Sequence, residues 1–151
     1  MSNLGLQTVY RMLNERDDTL CERFFLPDPE DIEEHRRTGF PLVSIESQRS
    51  LSDFDLIAFS ISFENDYLNL PTIFELGRLP FWREERTERD PLVICGGVCA
   101  FLNPEPLAAI MDLFVVGEAE VTLPQFLSQV LEAETSTRPE LLERLSQMPR
   151  I

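Results

Sequence analysis

The stretch Phe54-Asp-Leu-Ile-Ala-Phe-Ser-Ile-Ser62 is the part of this sequence that most directly decides the fold. Its apolar side chains follow one another with little polar alternation, which is typical of a strand buried on both faces. Strands of that kind occur in parallel sheets that are covered by helices on both sides. The stretch therefore predicts an α/β domain.

Working outward, two more buried strands are predicted downstream at 92–95 and 113–116, and each is followed by glycine. A helix at 65–76 is expected to kink or break at Pro71, because proline lacks the N–H that a continuous helix needs. Three further helices are predicted: a short one at 104–111, one with a Thr122–Gln125 capping box around Pro124, and one with a Thr137–Glu140 capping box.

The N-terminal part begins with an amphipathic helix, because Leu6, Val9, Tyr10 and Leu13 lie at helical spacing. A strand at 20–26, an acidic helix at 29–37 and a minor strand at 42–45 follow. This order predicts one domain over residues 1–151, Rossmann-like or flavodoxin-like, with a doubly wound and mainly parallel sheet of four or five strands.

Folds of this class normally begin with a strand, whereas this chain begins with a helix. We therefore expect the sheet to lack its first strand. Unpaired backbone groups at such a gap are costly. A second copy of the chain, in a homodimer, or the remaining strands are expected to cover it.

Composition narrows the classes of function. The formal net charge of the 151 residues is −14, and all 13 basic residues are arginine, which disfavours a nucleic-acid surface. No apolar run reaches the roughly 18 residues of a membrane span. Cys21, Cys95 and Cys99 follow no disulfide spacing, so reduced thiols and a cytoplasmic location are expected.

Polar or small residues follow each buried strand, where ligands bind in open α/β sheets. Hydroxyl groups can donate to a polar ligand, and glycines let a ligand approach the backbone. The alternative is that the glycines are ordinary turn residues. The candidate cofactor-binding residues are Ser60, Ser62, Gly96, Gly97, Gly117 and Glu118.

Catalytic and metal-binding residues are not predicted. His35, the only histidine, lies in the charged stretch Glu33-Glu-His-Arg-Arg37 and is interpreted as a surface residue. Glu64, Asp66, Glu118 and Glu120 could converge on one cleft, but no spacing among them is diagnostic, and a solvated acidic rim is the simpler interpretation.

Ser60-Ile-Ser62 followed by Gly96-Gly97 resembles the Ser-x-Leu and Gly-Gly elements of cobalamin-binding domains. The run Leu92-Val-Ile-Cys-Gly-Gly-Val-Cys-Ala-Phe-Leu-Asn-Pro-Glu-Pro-Leu107 resembles the N-terminal domain of a group of uncharacterised radical S-adenosylmethionine (SAM) proteins. The stretches 2–10, 51–55 and 114–120 do so as well, so the resemblance spans nearly the whole chain.

The resemblance implies that this chain is part of a larger radical SAM enzyme and carries no complete catalytic site. The family's Asp-x-His-x-x-Gly cobalamin motif would precede Met1, and Ser62 replaces the leucine of Ser-x-Leu. The iron–sulfur motif needs Cys-x-x-x-Cys-x-x-Cys, but Leu102 follows Cys95 and Cys99 where the third cysteine is required. A 4Fe-4S cluster and SAM are therefore expected only in the rest of the parent protein.

Three functions are considered. The first is an accessory domain that packs on the downstream catalytic barrel and helps to cover substrate or cofactor. The second is a cobalamin-binding module, and the third is a dimerisation or interaction module.

Overall fold

Three parallel strands form the central sheet in the computed structural model, which describes residues 4–133 and 136–151. The strands are β1 (Leu56–Ser60), β2 (Leu92–Gly96) and β3 (Leu113–Phe114), in the order β1-β2-β3. Phe59 lies opposite Cys95, and Cys95 lies opposite Phe114. The predicted α/β class and the parallel pairing of the three buried runs are confirmed.

Six α-helices surround the sheet in the described part of the chain. They are α1 (Leu4–Asn14), α2 (Pro29–Thr38), α3 (Leu70–Gly77), α4 (Val98–Leu102), α5 (Ala119–Glu132) and α6 (Arg138–Ser146). None of these helices combines the length and apolar character that crossing a membrane requires.

The central strand β2 is buried on both faces, as a doubly wound fold requires, whereas Ala58 and Ser60 of β1 are exposed. Alternate residues of a strand point to opposite faces, so neighbours on β2 enter different cores. One core holds Val93 and Cys95 with Phe74 and Met111. The other holds Leu92 and Ile94 with Phe126 and Leu145, and side chains of α1 pack against its border. Full burial of a Val, Leu, Ile, Phe or Met side chain stabilises a fold by about 1.5–3 kcal/mol.

Pro71 breaks the helix predicted at 65–76 into two pieces, as expected. A 3-10 helix covers Glu64–Asn69, and α3 then starts at Leu70 with Pro71 in its first turn. The missing N–H of proline costs nothing in a first turn, because that N–H has no helical partner there. The capping box at Thr137 and Glu140 is also confirmed.

The capping box predicted at Thr122 and Gln125 is wrong. The helix starts at Ala119 with Glu118 as its N-cap, four residues before Thr122, so Pro124 lies inside it. Thr122 is buried on the core face, and its hydroxyl has no hydrogen-bond partner among the described residues. The helix predicted at 104–111 is also displaced: α4 covers Val98–Leu102, and only a 3-10 turn forms at Glu105–Leu107.

The strand predicted at 20–26 does not form, and the one at 42–45 is reduced to a bridge between Val43 and Ser50. The backbone of the 20–26 segment forms hydrogen bonds with the loop 44–47 and not with any of the described strands. The Ile45 N–H donates to the Arg23 carbonyl at 3.0 Å, and the Arg23 N–H donates to the Glu46 carboxylate at 2.8 Å. The described sheet therefore has three of the four or five predicted strands, and this segment does not close the gap beside β1.

A buried ionic cluster fixes the end of the sheet opposite the predicted site. The Asp112 carboxylate accepts a hydrogen bond from the Val93 N–H at 2.7 Å and one from Arg138 Nη2 at 2.6 Å. Arg86 Nη1 forms an ion pair with the same oxygen at 3.1 Å, and both side chains are almost fully buried. Burial lowers the pKa of Arg86, and the neighbouring Asp112 opposes that shift.

Candidate functional site at the carboxyl edge of the sheet

The turns after β1 and β2 are joined by backbone hydrogen bonds. The Ile61 N–H donates to the Gly96 carbonyl at 3.1 Å, and the Cys99 N–H donates to the Ile61 carbonyl at 3.3 Å. These bonds bring Ser60 and Ser62 beside Gly96 and Gly97. Ser60 and Gly97 are exposed, whereas Ser62 and Gly96 are half-buried. The parallel topology thus produces the convergence that the sequence predicted.

Gly97 is required by the turn itself. Its φ is 98° and its ψ is −178°, a region that is essentially restricted to glycine. A Cβ atom at this position would lie 2.6 Å from the Ile61 carbonyl oxygen. The close packing of the two turns therefore explains a glycine here without reference to a ligand.

Gly117 and Glu118 lie at the same edge, after β3. Gly117 has a φ of 103°, and exposed Glu118 directly precedes α5. The C-terminal segment approaches this turn: the Val116 N–H donates to the Arg150 carbonyl at 2.8 Å, and Arg150 Cδ lies 3.7 Å from the position of a Gly117 Cβ. The third predicted turn is therefore partly covered by the chain's own C-terminal residues.

Exposed apolar side chains occupy the segments that follow β1 and β2. We call the set Phe63, Val98, Phe101 and Leu102 the apolar rim. Phe101 is 62% exposed and Leu102 is 73% exposed, although both belong to a helix next to the core. Large exposed apolar patches are typical of interaction sites, whereas single exposed apolar side chains are common on any protein surface. The rim was not predicted from the sequence, because the apolar run directly after Gly96-Gly97 is equally compatible with a buried helix.

A model of the family described as "Radical SAM proteins, N-terminal" matches residues 5–151. The chain belongs to this family. The "Uncharacterized protein MJ0966" of Methanocaldococcus jannaschii is 27% identical to the chain over 89 residues, which is 59% of this chain and 18% of the relative. The aligned part thus spans less than a fifth of that relative. No solved structure matches the chain.

The cysteines of this radical SAM N-terminal domain do not fit an iron–sulfur cluster. Cys95 and Cys99 are both buried. Burial raises the pKa of Cys95 to about 12, which disfavours the thiolate that iron requires. Burial and a hydrogen bond with Cys99 also raise the pKa of Tyr67, so the Tyr67 hydroxyl stays neutral.

The histidine and the acidic residues considered for metal binding or acid–base chemistry are exposed or lie away from the turns after β1 and β2. His35 is on α2, away from the carboxyl edge, with Nδ1 2.8 Å from the Phe40 carbonyl oxygen. Its neighbour Arg36 forms an ion pair with Glu75 of α3. Glu64 and Asp66 are exposed. Within residues 4–133 and 136–151, no three His, Cys, Asp or Glu side chains are grouped so that they could hold a metal ion.

Proposed function

We propose that this chain is the accessory domain of a radical SAM protein and packs its carboxyl edge on the catalytic barrel. The observation that carries the proposal is the apolar rim at that edge. Phe101 and Leu102 are mostly exposed there, and docking would remove their apolar surface from water. Membership of a family of radical SAM N-terminal domains supports the catalytic barrel as the partner of this surface.

The six predicted site residues have a role in this arrangement. With the rim against the barrel, the hydroxyl of Ser60 and the backbone of Gly96 and Gly97 would face the enclosed space between the two bodies. Ser62, Gly117 and Glu118 would border that space. These groups can donate or accept hydrogen bonds with a polar substrate or cofactor. The 4Fe-4S cluster and SAM belong to the barrel in this proposal, because Leu102 stands where the cluster motif that begins with Cys95 and Cys99 needs a third cysteine.

Charge substitutions in the rim test the proposal. The whole chain is titrated by calorimetry with the catalytic barrel of a radical SAM protein of the same family. Domains of one polypeptide meet at millimolar effective concentration, so a Kd of about 1 mM or tighter is expected. The double variant F101E/L102E should weaken binding at least about tenfold, since each charge must be desolvated at the interface.

Leu131→Glu is the matched control for this titration. Leu131 is also exposed, at 38%, but lies near the end of the 14-residue helix α5. That helix starts at the carboxyl edge, which places Leu131 roughly 18 Å away along its axis. The control should bind like the unmodified chain. Equal binding by the rim variant and the unmodified chain, or no binding by either, would contradict barrel docking.

Cobalamin binding is the second candidate, and the convergence of Ser60 and Ser62 with Gly96 and Gly97 favours it. Hydroxocobalamin is the probe, and a shifted visible spectrum on mixing is the expected result. Ser60→Ala should reduce that shift, because it removes an exposed hydroxyl from the edge. An unchanged spectrum with the unmodified chain excludes a corrinoid site within these residues.

A homodimer that covers the gap beside β1 remains a prediction. A net charge of −14 opposes the approach of two identical chains. Light scattering at low and high salt tests it, because salt screens this repulsion. A dimer that forms only at high salt would be consistent with pairing of like-charged surfaces, and a monomer in both conditions would exclude the homodimer.

A further inference from the structure

The outer edge of β1 presents unpaired backbone groups. The Leu92 N–H donates to the Asp55 carbonyl at 2.9 Å, and the Ile61 N–H donates to the Gly96 carbonyl at 3.1 Å. In a parallel pair, the residues that bond to the neighbouring strand alternate. The N–H and C=O groups of Leu56, Ala58 and Ser60 therefore point away from β2. Within residues 4–133 and 136–151 these groups have no backbone partner.

Strand β1 lacks, within its own five residues, the proline, charge and bulge that protect many natural edges. Leu56–Ser60 contains no proline and no charged residue, and it pairs with β2 in continuous register without a bulge. Ala58, at its centre, is exposed. The opposite side of the sheet differs, because Arg150 of the chain itself accepts a hydrogen bond from Val116 there. The β1 edge is thus an open template for one more strand.

The charges at the two ends of β1 define what can bind. Exposed Asp53 and Asp55 precede the strand, and exposed Glu64 and Asp66 follow it. A second copy of the chain would bring the same four carboxylates against these, which is unfavourable. A segment with basic residues at both ends would instead place opposite charges beside them.

We propose that the β1 edge binds, by strand addition, one extended peptide segment that lies outside residues 1–151 and has an apolar centre flanked by Arg or Lys. Main-chain hydrogen bonds to Leu56, Ala58 and Ser60 provide the affinity, and the terminal charges provide the selectivity. This site shares Ser60 with the carboxyl edge but includes no residue of the apolar rim, and its test needs no barrel. Failure of one proposal therefore leaves the other standing.

A pair of synthetic peptides tests the edge. Both have a seven-residue core of alternating valine and threonine; one carries arginine at each end and the other carries glutamate. Hydrogen exchange of the whole isotope-labelled chain is followed by NMR. The arginine peptide should slow exchange of the Leu56, Ala58 and Ser60 amides by about tenfold or more at saturation, while Ile57 and Phe59 change little.

Ala58→Pro is the blocking variant. It removes an N–H that points away from β2, and proline is tolerated at sheet edges, so β1–β2 pairing should survive. Binding of the arginine peptide should be lost. If circular dichroism shows that this variant is unfolded, Ala58→Lys places a positive charge at the same exposed position and should weaken binding of the arginine peptide instead. The matched control is Gln125→Lys, an exposed substitution on α5.

Three outcomes would overturn the proposal. One is no protection by the arginine peptide, and the second is equal protection by the glutamate peptide. The third is a dimer in which the three amides are already protected without peptide, since a second copy would then occupy the edge.

Discussion

Gly97 allows the turns after β1 and β2 to pack closely at the predicted site, because it has no side chain. Gly97→Ala should lower the free energy of unfolding by at least about 2 kcal/mol, because its backbone conformation is restricted to glycine and the new Cβ would meet the Ile61 carbonyl. Gly39→Ala is the control. Gly39 has a φ of 68° with nothing within 4 Å, so only the left-handed backbone cost of about 1–2 kcal/mol applies. Urea denaturation measures both, and equal losses would contradict the steric argument.

Asp112 is the second residue with a large expected effect. Asp112→Ala should destabilise the chain by about 3–5 kcal/mol, because it leaves Arg86 and Arg138 buried without their shared carboxylate. Glu34→Ala removes a carboxylate from an exposed ion pair with Arg37 and should leave the urea midpoint unchanged. A small effect of Asp112→Ala would show that water reaches the cluster.

At the scale of elements, the segment 20–26 depends on carboxylates that hold it to the loop 44–47. Burial opposes ionisation of Glu46, but hydrogen bonds from the Arg23 backbone and guanidinium outweigh it and lower the pKa of this carboxyl below 4.5. Hydrogen bonds from Ser44 and Ser47 likewise lower the pKa of Glu22. Attachment is therefore complete above pH 4.5 and is lost as the pH falls through the lower folded-state pKa values.

This pH dependence can be measured segment by segment. Hydrogen exchange of the Arg23 amide, after correction for the intrinsic rate, should accelerate as the pH is lowered below 4.5, before the core amides of β2 respond. Glu46→Gln should remove most of this acceleration, because the glutamine does not titrate. Exchange that changes in parallel at Arg23 and at Val93 would instead indicate global unfolding.

Local signals explain which elements were predictable. The three core strands were found because buried parallel strands are continuous apolar runs, and α6 was found because its cap is a local pattern at Thr137 and Glu140. The 20–26 segment has strand composition, yet a strand forms only with a neighbour. Pairing depends on residues distant in sequence, which composition alone does not reveal. In the structure, the Arg23 N–H donates to the Glu46 carboxylate and Asn14 donates to the Cys21 carbonyl, so the segment pairs with none of the described strands.

At the scale of the whole molecule, the sheet topology determines where the candidate site lies, and the packing of the helices determines which apolar side chains are exposed there. Parallel strands place Ser60, Gly96 and Gly117 at one edge, which the sequence order already implied. The exposure of Phe101 and Leu102 could not be read from the sequence, because an apolar run after a strand is equally compatible with a buried helix. The titration of the F101E/L102E variant with the catalytic barrel tests whether this exposed surface is a docking surface.

The ion pairs of Asp112 with Arg86 and Arg138 also determine how much of the chain must be present before the domain is stable. Arg138 lies 26 residues after Asp112, so its guanidinium is synthesised well after this carboxylate and after Arg86, and the cluster can be completed only once α6 is present. Arg138 also donates to the Asp90 and Pro91 carbonyls and so fixes the start of the last helix to the amino end of β2. A stable N-terminal fragment of this domain must therefore extend through α6, and shorter fragments should be sensitive to proteases.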